Sequence, residues 1–303
     1  MFNFYCCSKY ENIDCIVKNW YSLNKLYKKF TYTIIVPPYQ IDLFKKKLKE
    51  EDIDDIELIN ENNFLSFVDF KKIYEKLSSN NENIRFGWYY TQVLSISYAI
   101  ENAKYSPIIL LDGDTIILKK IDFFNGDNSN IYFTPYERHY PYKNACEIIL
   151  KYKFKKWKSA TSQIYSMTPK ECNFFTSKLH DFYQRKKNDT TAIWISKLIL
   201  TYMIESNESK DACFSNMDLI SASNIINGST NLKYIEFLRS GVYFLLTSKQ
   251  IKIAKKLGYS LLAYEAVNFK NSKTKMSNFG FIKLLTKTFI LSIYNRYKFY
   301  LSF

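Results

Sequence analysis

A short apolar run that ends in two carboxylates constrains this chain more than any other stretch. Ile108–Leu111 is apolar without polar alternation, and Asp112-Gly113-Asp114 follows it directly. Such a run predicts a strand buried on both faces, as in the middle of an α/β sheet. Ligands bind at the carboxyl ends of the strands in open α/β sheets. The sequence therefore predicts a binding site at Asp112 and Asp114.

The spacing of these carboxylates leaves two interpretations open. Two carboxylates one residue apart repel each other unless water solvates them or a cation bridges them. Mg²⁺ or Mn²⁺ held by carboxylates and diphosphate oxygens would satisfy the preference of these ions for hard oxygen ligands. The other interpretation is a solvated turn, because Asp and Gly are ordinary turn residues. In either case, Gly113 is expected to let the backbone turn sharply and to leave room for a ligand.

The elements predicted before this motif alternate as in a parallel sheet. Strands are predicted at 2–7, 31–36 and 56–59, and helices at 13–27 and 40–50, from apolar patterning and the Pro37-Pro38 stop. Strand–helix alternation of this kind builds parallel sheets. The chain contains no Gly-x-Gly-x-x-Gly and no Walker pattern, which disfavours a dinucleotide-binding or P-loop enzyme.

A second motif lies upstream of the carboxylates. Residues 86–94, Phe-Gly-Trp-Tyr-Tyr-Thr-Gln-Val-Leu, run into a predicted helix that leads to the strand and to Asp-Gly-Asp-Thr. This combination resembles a family of bacterial glycosyltransferase-like proteins long known only as a domain of unknown function, and the Asp-x-Asp motif of the GT-A fold. The resemblance is clear over about residues 84–120 and continues in element order from residue 2 to about 245. Relatives tend to carry Lys at Ser95 and Ser-Glu-Tyr-Glu at 215–218, so the chain departs from them at both places.

The resemblance implies a fold and a reaction. The fold would be GT-A-like α/β, with a mixed, mainly parallel sheet flanked by helices over residues 1–270. Residues 1–125 would form the nucleotide-sugar-binding half and residues 126–270 the acceptor-side half. The reaction would transfer a sugar from a nucleotide-sugar donor to a surface glycan or lipid-linked saccharide, with Mn²⁺ or Mg²⁺ held through Asp112 and Asp114.

Further residues are candidates for this site, and four of them have a structural alternative. The candidate donor contacts are Tyr5, Arg85, Gln92, Asp112, Gly113, Asp114 and Arg239, and the candidate acceptor contacts are Glu137 and Gln163. Arg85 either clamps a phosphate or is a surface residue, and Gln92 either contacts the donor or bonds backbone. His139 either completes a metal site with Asp112 and Asp114 or is an ordinary loop residue. Asp218 either acts as a catalytic base or sugar contact, or caps a helix with Ser215.

Composition narrows the range of partners. The 303 residues are 47% hydrophobic, enough for one large core, and the net charge is +14. A basic protein binds anions such as nucleic acid, anionic lipid or phosphorylated substrates. No nucleic-acid-binding signature occurs, so specific nucleic-acid binding is not expected. The 18% aromatic residues are expected mainly in the core.

The cysteine pattern and the lack of targeting signals favour the cytoplasm. The six cysteines show neither Cys-x-x-Cys nor Cys/His zinc spacing, and no basic-then-apolar leader is visible at the N-terminus. We therefore expect reduced, mostly buried thiols. No run of 18 apolar residues occurs, so a transmembrane span is not expected.

The last part of the chain differs in character. Residues 281–300 combine bases, aromatics and aliphatics without an acid, which predicts a basic amphipathic helix within a C-terminal extension at 271–303. It lies either on an anionic membrane, at the inner face of the cytoplasmic membrane, or against the body of the protein or a second copy. An alternative function follows: a non-catalytic GT-A-like protein that docks to membrane or partner through this tail.

Overall fold

The computed structural model describes most of the chain. The described residues are 1–78, 85–133, 139–155, 157, 159–160, 163–206, 213–229, 231–239, 246–264 and 277–300, with the backbone alone at 239 and 291–300. The strands are β1 (Phe2–Cys7), β2 (Phe30–Val36), β3 (Ile56–Asn60), β4 (Ile108–Leu111), β5 (Thr115–Ile117), β6 (Phe124–Asn125), β7 (Asn128–Ser129), β8 (Ile131–Phe133), β9 (Ile164–Met167), β10 (Leu232–Tyr234), β11 (Phe237–Arg239) and β12 (Leu261–Ala263). The helices are α1 (Ile13–Leu26), α2 (Ile41–Glu50), α3 (Phe67–Leu77), α4 (Phe86–Ala103), α5 (Tyr140–Ile149), α6 (Pro169–Phe182), α7 (Thr191–Glu205), α8 (Asn216–Ile226), α9 (Ser248–Lys256) and α10 (Asn278–Tyr300).

The central sheet has five strands in the order β3-β2-β1-β4-β9. β1 to β4 run parallel, and β9 runs antiparallel beside β4. The predicted α/β class, with a mainly parallel sheet flanked by helices, is confirmed. The strand order reverses at β1, which has β2 on one side and β4 on the other. A reversal of this kind leaves a crevice at the carboxyl ends of the strands, where ligands bind in open α/β sheets.

Helices cover both faces of this sheet. Phe4 and Cys6 of β1 face a core shared with α1 and α2, whereas Tyr5 faces a larger core shared with α3, α4 and α7. Likewise, Ile109 of β4 points to the first core and Leu110 to the second. Alternate side chains of one strand enter two different cores, because successive residues of a strand point to opposite faces. This explains why the strands are apolar without polar alternation.

A smaller sheet supports the segment after β4. β5 pairs antiparallel with β12, and β12 pairs parallel with β11. Leu262 of β12 lies opposite Ile116 of β5, and both belong to a third core that also contains Phe281 of α10. Sequence positions from both predicted halves therefore meet in one sheet, and the proposed division at residue 125 stays a prediction. The predicted C-terminal helix is present, and its first turns pack on the body.

The sequence predicts a strand at 159–167 and, from the spacing of Thr168, Pro169 and Glu171, a helix that begins at Thr168 with a capping box. The segment before β9 departs from the predicted strand. Gln163 has a φ of 63°, which interrupts extended backbone, and the Ala160 N–H donates to the carboxylate of Asp218 instead of to a strand. Pairing therefore begins only at Ile164. The predicted helix start at Thr168 is confirmed, since Thr168 and Glu171 form a capping box. In the part of the chain described here, no helix has the length and hydropathy needed to span a bilayer.

Candidate functional site

The turn Asp112-Gly113-Asp114 closes the carboxyl end of β4 and is held by backbone hydrogen bonds on several sides. The Asp112 N–H donates to the Gln163 carbonyl (3.1 Å), and the Thr115 N–H donates to the Asp112 carbonyl (3.0 Å). The Tyr264 N–H donates to the Asp114 carbonyl (3.2 Å). Both aspartates are half-buried. The two carboxylates therefore project from a turn fixed by β9 on one side and by the end of β12 on the other.

Gly113 is required at this turn for a reason that the sequence did not indicate. A Cβ at this position would lie 2.7 Å from the Cβ of Ser8, and closer still to its Oγ. The φ of Gly113 is not in the positive range, unlike that of Gly126. Ser8 fills the space that a side chain at 113 would take, and contact between Gly113 and a donor stays a prediction. This contact joins the end of β4 to the end of β1, on the two sides of the strand-order reversal.

The charges of the two carboxylates raise the pKa of buried thiols nearby. The pKa of the Cys6 thiol is raised to about 12, mainly by burial, and the charges of Asp112 and Asp114 contribute to the rise. The pKa of Cys15 is also raised to about 12, by burial and then by Asp114. Two negative charges concentrated on one partly buried turn make a favourable place for a cation.

The described residues do not bring the whole predicted metal set together, and a metal site at the aspartates stays a prediction. Across the described ranges, no group of three or more His, Cys, Asp or Glu side chains could hold a metal ion, so His139 is not brought together with both aspartates. His139 instead precedes α5, with its ring edge-on to Tyr142 at 4.2 Å between centroids. Two carboxylates are nevertheless sufficient for Mg²⁺ or Mn²⁺ when substrate phosphates supply further oxygens. The residues present therefore fit a divalent ion bound together with a phosphorylated substrate.

Arg85 lies at the start of α4 and acts on one of the same side chains as Asp112. It precedes α4, is exposed, and its guanidinium lies 5.3 Å from the centre of the Trp88 ring. The pKa of Tyr142 is raised, mainly by burial and then by the charge of Asp218, while Arg85 lowers it and Asp112 raises it further. The charges of Arg85, Asp112 and Asp218 thus all act on the hydroxyl of Tyr142. Arg85 and Asp112 therefore share Tyr142 as a neighbour, and phosphate binding by Arg85 stays a prediction.

Asp218 is enclosed at the start of α8. It is 1% exposed, and its carboxylate accepts hydrogen bonds from the Ala160 N–H (2.8 Å) and from the Ser159 hydroxyl (3.2 Å). The Asp218 N–H donates to Ser215 Oγ, so Ser215 caps α8. A cap formed with Ser215 was one of the two interpretations of Asp218. Asp218 thereby holds the segment that leads to Gln163 and the turn. A direct catalytic role for Asp218 stays a prediction.

Tyr5 and Gln92 belong to a buried hydrogen-bond network. The Tyr5 hydroxyl bonds with that of Tyr165 and donates to the Ser95 carbonyl, and Gln92 Oε1 accepts from the Asn216 N–H at 2.8 Å. The Ser95 hydroxyl accepts from the Asn216 amide at 2.9 Å. Position 95, where relatives tend to carry Lys, therefore points into the protein in this chain. Donor contact by Tyr5 or Gln92 stays a prediction, since both side chains are enclosed here.

The remaining predicted residues have different outcomes. Gln163 lies beside the turn through its carbonyl, while its side chain is buried. Arg239 ends β11 opposite Ala263, and only its backbone is described. Glu137 lies outside the described residues.

Sequence reasoning missed polar residues that follow other strands of the same edge. The exposed Lys9 lies two residues after β1, and Glu61 follows β3. Ser8, directly after β1, belongs to the strand end where the resemblance implies that the base and ribose lie. The pKa of Glu61 is raised by burial, while a hydrogen bond from Tyr90 and the charge of Lys9 oppose the rise. Asn12 donates to Ser8 Oγ at 3.2 Å and lies close to Gly113. The available signal was position alone, since Lys9 and Glu61 lie within two residues of the end of a predicted strand.

Several solved structures are similar to this chain at low sequence identity. Among solved structures, an active-site mutant of LgtC matches with a TM-score of 0.47 and 8% identity, over 94% of this chain and 96% of that one. Galactosyltransferase LgtC in complex with donor and acceptor sugar analogues gives 0.46 and 8%, over 94% and 96%. Mouse xyloside xylosyltransferase 1 in its apo form gives 0.43 and 8%, over 89% and 99%. At these scores the likenesses carry no inference about substrate or reaction.

Sequence comparison gives the clearer result. A search of curated proteins finds no match. The model of a family of unknown function, DUF6492, matches residues 15–210, which include α4, β4 and both aspartates. This match covers more than half of the chain, and the protein is therefore a member of the DUF6492 family.

Proposed function

We propose that this protein is a glycosyltransferase that uses a nucleotide-sugar donor and a divalent metal ion, Mn²⁺ or Mg²⁺. The observation that carries the proposal is the place of Asp112 and Asp114. They lie on a fixed turn at the carboxyl end of β4, where the strand order reverses, and Gly113 packs on the end of β1. Paired carboxylates at this point of an α/β sheet suit a metal–diphosphate ligand. The resemblance of the Gly-Trp-Tyr and Asp-Gly-Asp-Thr segments to glycosyltransferase-like proteins supports the same function.

The chain's own residues would divide the work of binding and orientation. Asp112 and Asp114 would hold the ion, which, when bound, supplies positive charge to the diphosphate leaving group. Arg85, exposed and sharing Tyr142 with Asp112 as a neighbour, would bind phosphate oxygens through its guanidinium. Asp218 would fix Ala160 through its carboxylate, and Gln163 would hold the turn through its carbonyl, which accepts from the Asp112 N–H. The acceptor hydroxyl would then meet a donor whose diphosphate is already fixed.

We further propose a saccharide acceptor, either a surface glycan or a lipid-linked chain, and a cytoplasmic location. The six free cysteines, five of them buried, support a reducing compartment. The net charge of +14 supports anionic substrates.

A melting experiment tests donor and metal binding directly. The wild-type chain is heated with nucleoside diphosphates and nucleotide sugars, with and without Mn²⁺, beside Asp112→Asn and Asp114→Asn. Ligand at a hundred times its Kd should stabilise the fold by about 2.7 kcal/mol, roughly a 4 °C rise in Tm for a chain of this length. We expect one nucleotide to raise the Tm only with the metal, and neither variant to respond.

A matched control separates binding from general charge effects. Asp127 is an exposed carboxylate in the turn between β6 and β7, so Asp127→Asn should respond to the donor like the wild type. If no nucleotide changes the Tm of the wild type, and the variants without ligand melt like the wild type, the motif Asp112-Gly113-Asp114 is a solvated turn. The non-catalytic binding protein would then be the better function. Release of free nucleoside diphosphate in the presence of saccharide acceptors extends the test from binding to transfer.

A further inference from the structure

The helix α10 is attached to the body along one side. Phe281 is 3% exposed within the third core, where Leu284 and Leu285 also pack, and Thr288 is buried one turn further along. These positions follow the three- and four-residue spacing of a single helix face. This inner face is therefore occupied by the protein itself.

The opposite side of α10 carries large apolar side chains in solvent. At about 100° per residue, these positions fall within roughly a third of the helix circumference, opposite Phe281 and Thr288. The exposed fractions are 79% for Phe279, 59% for Ile282, 61% for Phe289 and 60% for Ile290. We call these four residues the outer stripe. A row of exposed apolar residues on one helix face marks an interaction surface rather than scattered surface hydrophobes.

The charges beside the outer stripe have one sign. Lys283 and Lys287 are exposed next to it, and residues 277–303 contain no Asp or Glu. The whole chain carries +14. A helix with an apolar stripe and flanking lysines has the pattern of helices that lie in the interface of anionic bilayers, where the apolar residues enter the acyl boundary and the lysines reach the phosphates.

We propose that the outer stripe and its flanking lysines dock this protein on an anionic lipid surface. A second copy of the chain is the weaker occupant. A two-fold contact places the same patch on both partners, so lysines would face lysines with no acid in this segment to pair them. An anionic bilayer matches both the apolar stripe and the charge. The proposal goes beyond the proposed glycosyl transfer and does not depend on it.

Vesicle binding of the full chain tests this surface. The wild type is sedimented with vesicles of phosphatidylcholine alone and of phosphatidylcholine with phosphatidylglycerol. We expect strong binding to the phosphatidylglycerol vesicles only, weakened by added salt. Two pairs of substitutions, Ile282→Asn with Ile290→Asn and Lys283→Glu with Lys287→Glu, should each lower partitioning about tenfold or more. All changed positions are exposed, so the variants should melt like the wild type.

Matched controls lie on other helices. Val68→Asn removes a side chain on α3 that is 61% exposed, and Lys45→Glu with Lys46→Glu reverses two exposed charges on α2. Both should bind vesicles like the wild type. Equal binding to both vesicle types, no binding by the folded wild type, or equal losses in the controls would overturn the proposal. A wild-type dimer that only the outer-stripe variants dissociate, seen by light scattering, would assign the surface to a second copy. Because no nucleotide or metal enters this test, its failure is distinct from failure of the proposed transferase function.

Discussion

At the scale of single residues, the turn after β4 is specified by how closely two strand ends approach. Gly113 faces the side chain of Ser8, which is itself buried and which also accepts from Asn12. Steric space, and not backbone conformation, is what excludes any larger residue at 113. The positions of Asp112 and Asp114 therefore depend on the fit between β1 and β4.

We predict that Gly113→Ala destabilises the fold by about 1–3 kcal/mol, the usual cost of overpacking. The added methyl group would overlap with Ser8, and neither strand end can retreat without losing ladder hydrogen bonds. Gly87→Ala is the matched control, because a Cβ there meets nothing within 4 Å and Gly87 lies inside α4. It should leave stability unchanged or raise it slightly. Urea denaturation measures the free energy of unfolding of both variants. If the double variant Gly113→Ala with Ser8→Gly regains the lost stability, the overlap with Ser8 is the cause. If it does not, the overlap is not the cause.

At the scale of elements, one buried carboxylate joins three segments. Glu171 is fully enclosed and accepts from the Thr168 N–H at the start of α6, from the N–H and hydroxyl of Ser129 in β7, and from the hydroxyl of Ser229 after α8. The capping box was predictable from the spacing of Thr168 and Glu171. The two serines were not, because they lie 42 and 58 residues away in the sequence.

We predict that Glu171→Gln costs about 2–4 kcal/mol, several times the effect of an ordinary cap. The amide would turn an N–H₂ group towards donors that now bond a carboxylate, and buried donors left without an acceptor are costly. Thr168→Ala is the comparison, since it removes the cap but leaves both serines bonded, and should cost about 1 kcal/mol. If urea denaturation shows the same loss of unfolding free energy in Glu171→Gln and Thr168→Ala, then Glu171 stabilises only the start of α6.

The same contrast explains how much the sequence could predict. Apolar runs and stop residues locate β1 to β4, α1 and α2 to within a residue or two, because their patterns are local. The place of Asp112 and Asp114 at the end of β4 follows from the same strand pattern, while their role as ligands stays a prediction. The end of the predicted strand at 159–167, the inward direction of Ser95 and the separation of His139 from the aspartates depend on partners distant in sequence. No local pattern encodes those partners.

At the scale of the whole molecule, the fold holds many weak acids in their neutral form. Burial raises the pKa of thiols such as Cys146 and Cys172, and of phenols such as Tyr89 and Tyr27. The unfolded chain would release these protons near the ordinary values of 9.0 for Cys and 10.0 for Tyr. Because the folded pKa values lie above these values, the associated stability is complete below pH 9 and is lost as the pH rises.

We predict that the free energy of unfolding falls steeply above pH 9, and that Tyr27 contributes a measurable part of the fall above pH 10. Burial, opposed by a hydrogen bond to the Ile121 carbonyl, raises the pKa of Tyr27 to about 12, so its share is about 1 kcal/mol per pH unit between 10 and 12. Tyr27→Phe should be less stable than the wild type at pH 8, since the Ile121 N–H loses its acceptor, yet should lose less stability between pH 10 and 11. Tyr105→Phe, at a residue 79% exposed, should follow the wild-type curve throughout. Parallel curves for the wild type and Tyr27→Phe in urea titrations at each pH would show that the Tyr27 proton is not retained on folding.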